Sequence, residues 1–469
     1  ILAQYEEEAK ERNLEGYVIT LQFPSLLPVL TYAENRELRK ELAITNGKKS
    51  FDGGEFDNQN LIKELVQLRQ EKAQLLGYKS FADYVLEERM AKSPQKVLEF
   101  LNELLTKAKP FAQKDVEELS VLAKADGITE MQSYDHAYYA EKLRKQKFDF
   151  NDEELKPYFQ LDKVQEAVFG LAGKLFGLEF VETTDIQKYH ADVKTYEVLE
   201  VGSQKSEDGS FKALLYADYH PRKGKRAGAW MTSFKNQYIK NGKNHRPHIS
   251  VVCNFTKPTA ETPSLLTFNE VTTLFHEFGH ALHGVLANTQ YPNLSGTSVK
   301  WDFVELPSQF LENYCYEPEF LKTFAKHYQT GEVLPDEKIQ KIEDSKNFME
   351  GYQTLRQLSF GILDMSYHAE NVKVEDVKTF ETETIKATQV YPTLSETAVS
   401  TSFSHIFQGG YSAGYYSYKW AEVLDADAFQ YFKENGVFDP LISKKFKTLL
   451  ESGGTKDPME LYKNFRGSE

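Results

Sequence analysis

The stretch Leu274-Phe275-His276-Glu277-Phe278-Gly279-His280-Ala281-Leu282-His283 constrains the architecture more than any other part of the chain. Two residues four positions apart stand on one face of a helix, so His276 and His280 can aim imidazole nitrogens at a single metal ion, with Glu277 beside them. This is the HExxH arrangement. Neutral imidazole suits zinc, and a catalytic zinc keeps one position open for water, whose pKa falls to roughly 7 on binding. Glu277 is then the base that takes the proton. With 11 histidines in 469 residues, an accidental HExxH has a probability of roughly two per cent. The alternative, two surface histidines on an ordinary helix, is disfavoured by the apolar Leu274, Phe275, Phe278, Ala281 and Leu282, which mark the helix as buried.

Catalytic zinc sites take three protein ligands, so two histidines leave this one short. A third histidine in the metzincin pattern would need glycine at 283 and histidine at 286, where the chain has His283 and Leu286. A carboxylate from a second helix is the remaining solution. The stretch Trp301-Asp302-Phe303-Val304-Glu305-Leu306-Pro307-Ser308-Gln309-Phe310-Leu311-Glu312-Asn313 offers Glu305, with Asp302 and Glu312 as competitors. His283 lies outside the ligand pattern and reads as structural.

HEFGHALHG, the gap of 25 positions from His280 to the glutamate inside DFVELPSQFLEN, and the later SHIFQGGYSAGYYSYKW resemble, in that order, the thimet-oligopeptidase family of zinc peptidases. The resemblance runs over essentially the whole chain. It implies one zinc ion held by His276, His280 and Glu305, with Glu277 as general base. It also implies contacts to substrate and transition state from His405, Tyr411 and Tyr418, with Tyr415 and Gly410 beside them, and a site deep in a narrow channel that admits short peptides. A further helical segment ahead of Ile1 is implied as well. The family holds endopeptidases and enzymes that release C-terminal dipeptides. RQLSFG, DFVELPSQFLEN and GGTKDPMELYKNFRG look closer to the first kind, and YPNLSGT to the second.

Composition bears mainly on what is excluded. No apolar run approaches the roughly 18 to 20 residues that span a bilayer. A formal charge of −14 argues against nucleic acid, and the short run Arg222-Lys223-Gly224-Lys225-Arg226 reads as a solvated turn. Two cysteines, Cys253 and Cys315, are too few for a disulfide framework and fit buried thiols in a reducing cytoplasm. The expected partner is a short peptide, and the expected state a monomer.

Along the chain, residues 1–13 are helix-forming, and Tyr17-Val18-Ile19-Thr20-Leu21-Gln22-Phe23 is a strand candidate closed by Pro24 and Pro28. From 30 to about 125 and again to about 176 the pattern is helical, with turns at Asp52-Gly53-Gly54 and Asp126-Gly127. Residues 178–255 carry strand-like segments at 195–198, 213–217, 229–232 and 249–252, a small antiparallel sheet just before the histidine helix. One of these strands is a candidate wall for substrate, since peptidases commonly add the substrate backbone to a sheet edge. Helical periodicity returns through Tyr352, Leu355, Leu358 and Ile362 and breaks at Pro392. Between Thr401 and Tyr418, Gly409, Gly410 and Gly414 interrupt a tyrosine cluster and permit a mobile loop.

The expected architecture is a mainly α, multi-helical, neurolysin-like zincin with a small antiparallel sheet near the active site. Residues 1–177 form a helical scaffold on one side of the cleft, and residues 178–469 the catalytic region. The expected activity is hydrolysis of short peptides by an endopeptidase, with dipeptidyl carboxypeptidase as the alternative. A non-catalytic helical scaffold with a structural metal is disfavoured, because a closed site would offer a fourth protein ligand.

Overall fold

The computed structural model describes residues 1–149, 152–201 and 210–467. The chain groups into two compact units. The first comprises Ile1–Pro24, Phe150–Glu343 and Ala421–Glu469, and the second Ser25–Asp149 and Asp344–Trp420. This differs from a single boundary at 177/178, and packing supplies the reason. The helix Leu161–Phe176 lies against the sheet and the histidine helix, where Phe169 stacks on Phe180 at 4.2 Å and tilts onto Phe278 at 5.5 Å. In the second unit the long helix Pro94–Ala125 packs on Glu350–Tyr367, burying Val97, Leu101, Leu358 and Met365 together. Ser93 caps that long helix by accepting the Lys96 N–H, and Pro94 occupies its first turn, where a missing N–H costs nothing.

The sheet of the first unit has five strands: β1 (Leu178–Glu182), β2 (Lys194–Glu200), β3 (Phe211–Asp218), β4 (Trp230–Lys235) and β7 (His248–Val252), ordered β1-β2-β3-β7-β4. A separate ribbon pairs β5 (Tyr238–Lys240) with β6 (Lys243–His245). The expected strands are present, but the sheet is mixed: β7 runs parallel to β3, from Leu214 opposite His248 to Asp218 opposite Val252. About 30 residues separate these strands, enough for the crossover that parallel pairing requires. β4 then pairs antiparallel with β7 at the edge.

Two local expectations change. Tyr17–Phe23 forms no strand; the helix Phe23–Tyr32 starts there, with Pro24 in its first turn and Leu26 and Val29 buried. The helix beginning at Glu350 ends at Tyr367, well before Pro392, and Val377–Thr384 is a separate helix capped by Asp376. The basic run at 222–226 turns at Lys223–Gly224 as expected, with Lys223, Gly224 and Arg226 exposed, but two of its cations are engaged. The Lys225 side chain is covered and donates to Asp218 Oδ1 at 2.9 Å and to the Cys253 carbonyl, while Arg222 pairs with the same carboxylate at 2.7 Å. No helix among the described residues is long and apolar enough to cross a membrane.

Candidate metal centre

The histidine helix, Phe268–Leu286, begins with a capping box in which Thr267 Oγ1 accepts the Glu270 N–H at 3.1 Å and Glu270 Oε2 accepts the Thr267 N–H at 2.9 Å. Glu270 also accepts the Thr256 N–H at 2.7 Å, which ties the helix start to the chain leaving β7. Val271, Leu274, Phe275, Phe278, Ala281 and Leu282 are buried, leaving His276 and His280 half-buried on one face. Sequence pattern and packing agree here.

The partner segment is not one continuous helix. Trp301–Phe303 is a 3₁₀ turn and Leu306–Glu312 an α-helix, because Pro307, lacking an N–H, starts a new helix. Glu305 sits at the junction. What brings it to the histidines is Gly279: a Cβ there would stand 2.4 Å from the Pro307 carbonyl oxygen and 2.5 Å from Ser308 Cα. Only glycine lets the two helices approach this closely.

Glu305 Oε2 lies 3.2 Å from His276 Nε2 and 3.2 Å from His280 Nε2. One ligand atom from each residue falls within 4.8 Å of the others, and among the described residues this is the one His/Cys/Asp/Glu group so arranged. A tetrahedron with metal–ligand bonds of about 2.0–2.1 Å has edges of about 3.3–3.4 Å, so the spacing fits a cation between these atoms. Two imidazoles and one carboxylate are also a donor set that zinc accepts. Asp302 is buried in the 3₁₀ turn and is not in the group. Glu312 supports it from outside: His276 Nδ1–H donates to Glu312 Oε1 at 2.6 Å, which leaves Nε2 facing Glu305. Ser308 Oγ donates to Glu305 Oε2 at 2.9 Å.

Electrostatics follow the same geometry. Burial draws the His276 pKa down, but its bonds to Glu305 and Glu312 outweigh this and hold it well above its ordinary value. Burial pushes Glu305 up, and the two histidines more than reverse it, holding it well below the carboxylate range. Positive charge is thus strongly favoured at the point where the three side chains meet. Burial raises the pKa of Glu277, opposed by His276 and His280. His283 is fully buried, and burial pulls its pKa down to about 3, so it is a neutral core residue outside the ligand group.

The tyrosine segment belongs to the second unit and forms a cluster of its own. Tyr411 stacks on Tyr418 at 5.1 Å, Tyr415 lies 5.0 Å from Tyr418, and His405 lies 5.6 Å from Tyr415. Tyr415 donates to Gln357 Oε1 at 3.0 Å. Gly409 and Gly410 are exposed, yet Gly409 meets a packing need, since a Cβ there would come within 2.9 Å of the His405 carbonyl. Residues 413–415 are held by Asp364, so the segment is not free to move along its whole length. Sequence reading had no role for Asp364, Gly279 or Ser308. For Glu312 a signal exists, since it lies seven residues after Glu305, two helical turns along one face.

A multi-helical fold with a small sheet and a two-histidine, one-glutamate centre defines a metallopeptidase, and comparison with known proteins agrees. The chain belongs to peptidase family M3, whose pattern matches residues 29–469. It is 41% identical over 478 aligned residues to oligopeptidase A of Escherichia coli (strain K12), covering 100% of this chain and 69% of that protein. Against dipeptidyl carboxypeptidase of the same organism the identity is 38%, covering 98% of this chain and 68% of the relative. The solved structure described as PZ peptidase A with inhibitor 2 shares the fold, with a TM-score of 0.57 at 18% identity, over 100% of this chain and 70% of that one. Membership of the family implies a divalent metal.

Proposed function

We propose that this metallopeptidase hydrolyses internal peptide bonds of short oligopeptides, with His276, His280 and Glu305 holding one zinc ion and Glu277 moving the proton. The observation that carries this reading is the placement of Glu305 Oε2 at 3.2 Å from both imidazole nitrogens. When bound, zinc supplies a Lewis acid that polarises the scissile carbonyl and lowers the pKa of water to roughly 7. Glu312 fixes the His276 ring and its tautomer, and Ser308 fixes the Glu305 carboxylate. Glu277, its pKa raised by burial, takes the proton of the attacking water and returns it to the leaving amine nitrogen. β4 is an edge strand that pairs with β7 alone among the described strands, and it offers its other side to an extended substrate backbone.

The roles that the resemblance gives the tyrosine segment belong to the same proposal: Tyr418 and His405 as donors to the oxyanion, and Tyr411, Tyr415 and Gly410 as substrate contacts. Losing one oxyanion donor costs roughly 100- to 1,000-fold in kcat, so Tyr418→Phe lowers kcat by that much with KM nearly unchanged. A near-normal kcat returns the tyrosines to packing. We also infer a cytoplasmic location, which the two free, buried cysteines fit.

Release of C-terminal dipeptides is the second reading, favoured by the 38% identity to dipeptidyl carboxypeptidase. A peptide with an amidated C-terminus separates the two. An endopeptidase cleaves it as fast as the free acid, whereas a dipeptidyl carboxypeptidase, which must grip the terminal carboxylate, cleaves it poorly. Mass spectrometry of products from a mixed peptide library, run beside metal content per chain, tests the proposal as a whole. A metal-loaded protein that cleaves nothing in the library sinks it.

A further inference from the structure

The tyrosine segment is gripped at two points by three residues with no assigned role: Asp364 on the helix Glu350–Tyr367, His368 just past its end, and Arg69 on the helix Gln59–Leu75. Asp364 is fully buried and accepts three consecutive backbone N–H groups, from Ala413 at 2.8 Å, Gly414 at 2.8 Å and Tyr415 at 2.9 Å. Successive N–H groups turned inward form a concave anion site, here filled by a side chain of the protein itself. Ala413 adopts φ +50°, a left-handed conformation that costs a residue with a Cβ about 1 kcal/mol or more, so the turn needs an outside partner to persist.

His368, one turn on, holds that partner. Its Nδ1 lies 2.8 Å from the Asp364 backbone carbonyl, with which it hydrogen-bonds, and 2.9 Å from Asp364 Oδ1, and its Nε2 lies 2.9 Å from Arg69 Nη1. A guanidinium only donates, so Nε2 accepts and Nδ1 carries the proton toward Asp364. Arg69 supplies the positive charge that a buried carboxylate requires. The same Arg69 Nη1 donates to the Ile406 carbonyl at 2.8 Å, in the turn that bears His405. One relay, Arg69–His368–Asp364, therefore grips both arms of the segment: the His405 arm through Ile406 and the tyrosine arm through residues 413–415. Beyond this grip, Ser417 Oγ donates to the Gly414 carbonyl at 2.6 Å as the helix Ser417–Asn435 begins, which passes the fixed geometry to Tyr418.

We propose that Asp364 is a positioning residue for peptide hydrolysis, holding the 413–415 backbone so that Tyr418 and His405 keep a fixed geometry, with His368 and Arg69 completing the relay. This rests on the roles proposed above for Tyr418 and His405. A neutral amide cannot replace the carboxylate, because Asn offers one acceptor oxygen and turns two donors toward N–H groups that already donate.

The test is a double-mutant cycle on the metal-loaded protein. Asp364→Asn lowers kcat by roughly 10- to 100-fold, the loss typical of a residue that supports an active group, with metal content and KM nearly unchanged. In a background that carries both Tyr418→Phe and His405→Gln the same substitution lowers kcat no further, because both donors it positions are already gone. A kcat loss that persists in that background, or no loss in the otherwise unaltered enzyme, overturns the positioning role. Normal turnover in Tyr418→Phe alone overturns instead the reading of the tyrosine segment on which this inference rests. Should thermal melts show that Asp364→Asn is unfolded, Arg69→Lys carries the cycle. It keeps the charge but cannot reach His368 and Ile406 with one planar fork, so it gives a smaller kcat loss that again vanishes in the Tyr418→Phe, His405→Gln background; a loss that persists there refutes the relay.

Discussion

The metal centre and the tyrosine segment fix their side chains by opposite means. In the first unit His276, His280 and Glu305 stand on or beside regular helices, and the decisive device is an absent atom, the Cβ that Gly279 lacks. In the second unit the backbone at 413–415 is irregular, and an added charge, the buried Asp364, keeps it in place. Helical geometry repeats every 3.6 residues, so a site built on it announces itself in local spacing. An irregular segment takes its shape from partners far along the chain, and the order of its own residues carries little of that shape.

Four substitutions sharpen or break this contrast, in order of expected effect. Glu277→Gln is the largest. It removes the proton acceptor and leaves the ligands, so turnover falls by up to roughly 10,000-fold with metal content unchanged; substantial metal-dependent activity in the purified variant would move the base elsewhere. Gly279→Ala comes next. Its methyl group drives the Pro307 carbonyl away and carries Glu305 with it. Metal affinity, read by competition with a chelator, then falls beyond the roughly 10- to 100-fold typical of a supporting group and approaches that of Glu305→Ala. Affinity close to wild type would show that the helices need no close contact.

The third concerns the second unit alone. His136, stacked on Tyr352 at 3.8 Å and 2.7 Å from the Tyr391 hydroxyl, has its pKa drawn down to about 4 by burial. A histidine whose folded pKa lies below its unfolded value of about 6.5 is neutral in the native state, so its contribution is present above pH 6.5 and is lost as pH falls toward 4. The loss amounts to about 3 kcal/mol. Melts of wild type and His136→Gln across this range should converge at low pH, and parallel curves would contradict the linkage. Glu312→Gln is the mildest. It weakens the grip on His276 Nδ1 and costs metal affinity roughly 10- to 100-fold, whereas Asp302→Asn, outside the ligand group, costs less. A greater loss at Asp302 than at Glu312 would reverse their places.

Much of the fold was legible because it is periodic: the helix Pro94–Ala125, the helix Leu161–Phe176 and the histidine helix all follow their apolar spacing and their caps. β2, β3, β4 and β7 were legible from β-branched and aromatic runs, but β1, the β5–β6 ribbon and the parallel pairing of β7 with β3 were not, since strand direction depends on which neighbours meet. Tyr17–Phe23 misled through its β-rich composition, because Pro24 starts the following helix. A boundary at 177/178 could be read from composition, but the two units interleave along the chain, and only the packing of Leu161–Phe176 on Phe180 and Phe278 reveals that. At the site, the histidines stood out by spacing and Glu305, among Asp302 and Glu312, by the family resemblance, whereas Asp364 and Arg69, 295 positions apart, are joined through His368 only in the folded unit.

That interleaving bears on the order in which the protein can be made. The helix Pro94–Ala125 leaves the ribosome roughly 225 residues before its partner Glu350–Tyr367 begins. At about 5–20 residues per second the face that Glu350–Tyr367 covers waits for tens of seconds without that partner, while Tyr139 and Leu143 can already pack on Leu119 and Ala123. Meanwhile the three side chains grouped to hold a metal, His276, His280 and Glu305, have already emerged. The candidate centre is thus synthesised before either unit is complete, since the first unit also awaits Ala421–Glu469 and the second Asp344–Trp420.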